Sequence, residues 1–133
     1  MIMNIYLDID GVLIVHGKSV AHAIEFLEEI TTKHSCFWLT THCRGGENRA
    51  PEYLLKMFPA ETESTLRKIL PADWNALKTD AINFTQDFRW LDDYAMEAEK
   101  EILRKNDCFG KYIQVDLKNT PEQLKNLMEV FNG

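Results

Sequence analysis

The side chains best suited to chemistry fall in four short stretches: Asp8-Ile9-Asp10-Gly11, Thr40-Thr41-His42, Lys78, and Asp92-Asp93. Taken singly, each has an ordinary explanation. An acidic pair before a glycine is a common turn where a strand leaves a sheet, and one aspartate at 92 or 93 would serve as a helix N-cap and favour the helix dipole. Two aspartates exceed that need. The first pair is not an EF-hand loop, which needs a third oxygen ligand before its glycine, a glutamate six residues after it, and flanking helices. If the two pairs meet, four carboxylates repel one another in a partly buried cleft unless a cation joins them. An oxygen-ligated divalent ion answers that repulsion. Mg²⁺ suits it, because it takes a few carboxylate or carbonyl oxygens, retains water and leaves room for a phosphate oxygen.

Whether the pairs meet depends on the elements that carry them. Residues 3–9 are a short apolar run without helical period, bounded by Gly11, the pattern of a strand buried on both faces. Ser19 stands as N-cap before Val20, Ala23, Ile24, Leu27 and Ile30, spaced for one face of a helix ending near His34. Residues 36–39 repeat the buried-strand pattern and stop at Thr40. Pro51 then opens a helix carrying Tyr53, Leu54, Met57 and Phe58 on its apolar face, closed by Pro59. Residues 60–72 fit no clear pattern. A helix is predicted from about Asp73, with Leu77, Ala81 and Ile82, then a strand at 88–91 ended by Asp92 and Asp93, and a helix through Tyr94, Ala95, Ala98 and Ile102. A strand at 112–115 and a last helix follow, with Thr120, Pro121 and Gln123 as cap, first position and capping-box residue.

The order β-α-β-α-α-β-α-β-α demands crossovers, which are right-handed and make the sheet parallel. The predicted fold is therefore α/β: a doubly wound three-layer sandwich with a mainly parallel sheet of four or five strands. Ligands bind such sheets beyond the carboxyl ends of the strands, where strand order reverses. Asp8-Asp10, Thr40-Thr41 and Asp92-Asp93 all sit at those ends.

This ordered set, Asp8-Ile9-Asp10-Gly11-Val12, Thr40, Lys78 and Asp92-Asp93, resembles the four motifs of the haloacid dehalogenase superfamily, over about residues 3 to 93. With few residues between Gly11 and the first helix and no other large insert, the chain is similar to the capless members, a single domain over residues 1–133. The resemblance implies that Asp8 attacks phosphorus and forms an aspartyl-phosphate. Asp10 would give a proton to the leaving oxygen and later take one from water, its neighbours' charge helping to keep that proton on it. Thr40 would hydrogen-bond the phosphoryl group and Lys78 would neutralise its oxygens. Asp8, Asp92, Asp93 and the main-chain carbonyl of Asp10 would hold Mg²⁺. Thr41 could take the place of Thr40, and Lys68 that of Lys78. His42, Cys43 and Arg44 follow the second strand at the same edge, so Thr41, His42 and Arg44 are candidates for binding the substrate's leaving group, or members of an exposed loop. Trp38, Phe88 and Trp90 lie in apolar strands and read as core.

Composition bounds the partners. The 133 residues are 45% hydrophobic and 27% charged, as in ordinary globular domains. A formal charge of −6 without a Lys/Arg cluster removes the footprint expected for extended nucleic-acid binding, while leaving room for one local phosphate. Three cysteines without CxxC spacing read as reduced thiols. No signal peptide or membrane-length apolar run is legible, so the expectation is a cytoplasmic monomer or small oligomer acting on a phosphorylated substrate. Carbon–halogen hydrolysis needs neither Asp10 as proton donor nor the Asp92-Asp93 pair, so the acidic set points to phosphorus. The rival from another class is a catalytically silent binding module that acts through a protein partner.

Overall fold

A computed structural model describes residues 2–132. Apolar strands β1 (Asn4–Leu7), β4 (Ser35–Trp38), β5 (Leu70–Pro71), β6 (Phe88–Asp92) and β7 (Tyr112–Gln114) form one sheet in the order β5-β4-β1-β6-β7. Every pairing in it is parallel, with Leu7 opposite both Trp38 and Leu91. The chain builds outward from β1 to β4 and β5, then returns to the other side for β6 and β7, so strand order reverses at β1. Helices α1 (Ala23–Lys33), α2 (Ala50–Leu54), α3 (Glu63–Leu66), α4 (Glu97–Lys105) and α5 (Gln123–Asn132) flank the sheet.

Alternation along the strands feeds two apolar clusters, because successive side chains point to opposite faces. Ile5, Leu7, Trp38 and Leu91 join Phe26, Leu27, Leu124 and Phe131 of α1 and α5, whereas Tyr6, Phe88 and Trp90 join Trp74, Ala95 and Leu103. The sheet is thus buried on both sides, which accounts for its near-continuous apolar strands. Cys36, Cys43 and Cys108 are buried free thiols. Among the described residues no helix is long and apolar enough to cross a membrane.

Several expected elements change. Ser19 is not a helix cap: it ends a hairpin of β2 (Ile14–Val15) and β3 (Lys18–Ser19). His16 and Gly17 both take positive φ at its turn, as a two-residue hairpin loop that matches strand twist requires. The hairpin takes Ser19, and α1 starts at Ala23, past Val20, while Ala23, Ile24, Leu27 and Ile30 lie in it as expected. The unclassified stretch 60–72 supplies a 3₁₀ turn (Ala60–Thr62), α3 and the fifth strand β5, where Pro71 is tolerated because it lies on the sheet edge.

The helix expected from Asp73 is absent. In its place stands a 3₁₀ turn, Lys78–Ala81, whose flanking amides bond side chains instead of helical carbonyls: Lys78 N–H donates to Glu99 Oε2 and Asn83 N–H to Tyr6 Oη. Helix α2 stops at Leu54, short of Phe58, and α4 starts at Glu97, after Tyr94 and Ala95. At α5, Gln123 does not close a capping box with Thr120. Its amide instead accepts from Asp116 N–H and donates to Gln114 O, tying the helix start to the end of β7.

Candidate active site

Asp8 is the first residue beyond β1, the central strand. Its N–H donates to Leu91 O on one side, while the preceding Leu7 carbonyl accepts from Leu39 N–H on the other. Its place therefore follows from the register of three strands. Asp92 ends β6 next door, and the two carboxylates are buried together. Lys78 reaches between them from its 3₁₀ turn, with Nζ 2.6 Å from Asp92 Oδ2 and 3.4 Å from Asp8 Oδ2. The second oxygen of each carboxylate is held by main chain: Ile9 N–H donates to Asp8 Oδ1 at 2.8 Å and Tyr94 N–H to Asp92 Oδ1 at 3.2 Å.

One ammonium cannot neutralise two buried carboxylates. Burial first, and then the charge of Asp8, push the Asp92 carboxyl well above the usual carboxylate range, with Lys78 offsetting only part of this. Burial works against the charge on Lys78, but Asp8 and Asp92 more than reverse it and leave its pKa raised. The centre thus sets one ammonium between two buried carboxyl groups.

Asp93 adds a third carboxylate. Oxygens of Asp8, Asp92 and Asp93 lie within 4.8 Å of one another. This donor set fits Mg²⁺, which is held by oxygens alone. Gly11 makes the approach possible: a Cβ at that position would lie 2.3 Å from Asp93 Oδ2 and 2.8 Å from Asp93 Cβ, and its φ of +86° is one that glycine adopts readily. The Asp10 side chain is not in this cluster. It is largely exposed and turns toward His42 and Tyr53.

Thr40 follows β4, fully buried, with its Oγ1 facing His42 N–H at 3.5 Å and its carbonyl accepting from Trp74 Nε1 at 3.0 Å. Thr41 is exposed in the 3₁₀ turn Thr41–Gly46. Lys68 lines a hollow with His34 and Ser35 at the start of β4, the opposite end of the strand from Thr40, so Lys78 alone of the two lysines joins the carboxylates. Arg44 donates through Nε to Asn75 O at 2.6 Å and lies over the Trp74 ring, 5.1 Å from its centroid.

Three residues outside the expected set organise the centre. Trp74 offers its ring to both Arg44 and Lys78, whose Nζ is 5.8 Å from its centroid, and its indole N–H anchors it to Thr40 O. Glu99 is buried on α4, and its two oxygens accept from Lys78 N–H at 2.7 Å and Met96 N–H at 2.8 Å. It thereby fixes the turn that carries Lys78 and satisfies the amide of Met96, the residue that caps α4. A glutamate three residues into a helix is a capping signal, but nothing local to it predicts the bond to Lys78. Tyr53, expected only as part of an apolar helix face, puts its hydroxyl on Asp10.

Comparison with protein-family models, with curated proteins and with solved structures finds no match.

Proposed function

We propose that this chain is a Mg²⁺-dependent phosphohydrolase of the haloacid dehalogenase type, cleaving a phosphomonoester through an aspartyl-phosphate on Asp8. The observation that carries this reading is the Lys78 ammonium set between Asp8 and Asp92, with Asp93 completing three carboxylates within 4.8 Å at the carboxyl edge of a parallel sheet. Mg²⁺, held by Asp8, Asp92, Asp93 and the Asp10 carbonyl, would supply the positive charge that lets an anionic ester approach an anionic centre.

The protein's own groups divide the work. Asp8 Oδ1 is occupied by a main-chain N–H, so Oδ2, beside Lys78, is the attacking atom. It forms a bond to phosphorus as the ester P–O bond breaks, the bonding pair leaving on the ester oxygen. Asp10 gives that oxygen its proton and, in the second step, takes a proton from the water that hydrolyses the acyl phosphate. Lys78 and the Thr40 hydroxyl stabilise charge on the phosphoryl oxygens, the dominant need in phosphoryl transfer. The segment between Gly11 and α1 holds only the hairpin β2–β3, too short for a folded cap over the centre. That suits an open, capless site in a monomer or small oligomer.

Release of phosphate from an aryl phosphate, with and without Mg²⁺, tests the reading. Mg²⁺-dependent turnover lost in Asp8→Asn, with a beryllofluoride adduct trapped on Asp8 of the parent, is the expected result. No turnover and no adduct would overturn it and leave a binding module that acts through a protein partner.

A further inference from the structure

Asp10 must point its carboxyl group accurately to exchange protons with an ester oxygen, yet its side chain is 57% exposed and lies outside the three-carboxylate cluster. A free aspartate at such a position would distribute over several staggered rotamers. Here each of its oxygens has one partner, which leaves a second lone pair on each for the transferable proton. Tyr53 Oη donates to Oδ1 at 2.8 Å and His42 Nε2 meets Oδ2 at 3.0 Å, and these are its only side-chain hydrogen bonds among the described residues.

The two holding groups are themselves fixed to one another. The His42 and Tyr53 rings stack with centroids 4.0 Å apart and planes 22° apart. Their main chains are joined through one residue: Arg49 N–H donates to His42 O and Tyr53 N–H donates to Arg49 O. His42 begins from the buried end of β4, where its own N–H faces Thr40 Oγ1. The pair is thus anchored to the sheet, while Asp10 lies two residues beyond the anchored Asp8.

We propose that His42 and Tyr53 are positioning residues for Asp10, holding its carboxyl group for transfer of a proton to the leaving oxygen, on the reading above of Asp10 as the proton-transfer group. His42 then serves the reaction through Asp10 and not by binding the leaving group directly.

A leaving-group comparison separates this role from general support of the fold. An ester of a strongly acidic phenol departs without a proton, whereas an ester of a simple alkyl alcohol requires one. The steps reported by kcat/KM run through formation of the aspartyl-phosphate, before water is deprotonated. Loss of a positioned acid should therefore appear mainly on the alkyl ester. Tyr53→Phe keeps the ring and its stack on His42, and His42→Gln keeps a polar group near Oδ2. In each, kcat/KM should fall by roughly 10- to 100-fold on the alkyl phosphate. That loss should exceed the loss on the aryl phosphate by about tenfold or more, in the same direction as Asp10→Asn. Melting temperature, followed alongside, reports folding.

Equal losses on the two esters, or no loss on either, would overturn the positioning role while Asp8→Asn remained inactive and phosphohydrolase chemistry stood. A parent that hydrolyses neither ester would overturn the phosphohydrolase reading and this role with it.

Discussion

Replacing Gly11 by alanine tests whether the approach of Asp93 to the proposed metal centre depends on a missing side chain. The new Cβ would fall 2.3, 2.5 and 2.8 Å from Oδ2, Cγ and Cβ of Asp93, where carbon atoms normally stay about 3.5–4.0 Å apart. Rotation about χ1 moves the carboxylate but not Asp93 Cβ, so the main chain at Asp93 must retreat by close to 1 Å. Forcing alanine to positive φ adds roughly 1–2 kcal/mol and overpacking adds roughly 1–3 kcal/mol. The sum corresponds to a fall in melting temperature on the order of 10 °C for a domain of this size. Mg²⁺ holds its ligands near 2.0–2.1 Å in octahedral geometry, so a 1 Å retreat removes Asp93 from the set.

If Mg²⁺ binds as proposed, the parent at about a hundred times the Kd should gain about 2.7 kcal/mol. Gly11→Ala should lose most of that gain. The double variant Gly11→Ala, Asp93→Ala loses the Oδ2 and Cγ clashes and keeps only the 2.8 Å Cβ contact, so without Mg²⁺ it should recover part of the melting temperature lost in Gly11→Ala while still failing to respond to the ion. Thermal melts of the three proteins with and without millimolar Mg²⁺ measure both effects. A Gly11→Ala protein with the parent's melting temperature and the parent's response to Mg²⁺ would refute the reasoning.

Asp92→Ala should abolish most of the Mg²⁺-induced rise in melting temperature, because it deletes the carboxylate that meets Lys78 and belongs to the proposed Mg²⁺ set; calorimetry with Mg²⁺ checks this. Glu99→Ala should cost about 2–4 kcal/mol by stripping the acceptor from Lys78 N–H and Met96 N–H, read from chemical denaturation. Turnover should fall with it, since the turn carrying Lys78 is released. At the opposite end of the sheet, hydrogen bonding to Lys111 chiefly, and then to Arg89, holds the Asp87 carboxyl below its ordinary pKa of 3.8. A depressed pKa stabilises the fold above the unfolded value, and that contribution is lost as pH falls through the folded one. Asp87→Asn should thus cost about 0.2–1 kcal/mol at neutral pH and progressively less as pH falls below 3.8, as measured by denaturation across that range.

The sequence by itself determined where the acidic groups stand along the chain's strands. Apolar runs without helical period end at Asp8, Thr40 and Asp92, and crossovers between them require a parallel sheet whose carboxyl edge collects all three. Those are local patterns plus one topological rule, so they are legible without coordinates. Short or mixed segments were not. The hairpin after Gly11 and the edge strand at Leu70–Pro71 each have two-residue strands, too few for a period to show.

Only the tertiary structure decided which groups hold the chemical ones. Asp10 meets His42 and Tyr53 across 32 and 43 residues, and Lys78 N–H meets Glu99 across 21. The Trp74 indole meets Thr40 O across 34. Such pairings depend on the path of each loop and the rotamer of each side chain, and neither leaves a repeat in sequence. The same cause turned the expected helix around Lys78 into a single 3₁₀ turn, because the acceptors that Lys78 and Asn83 use, Glu99 and Tyr6, belong to other elements and come within reach only when the chain has folded.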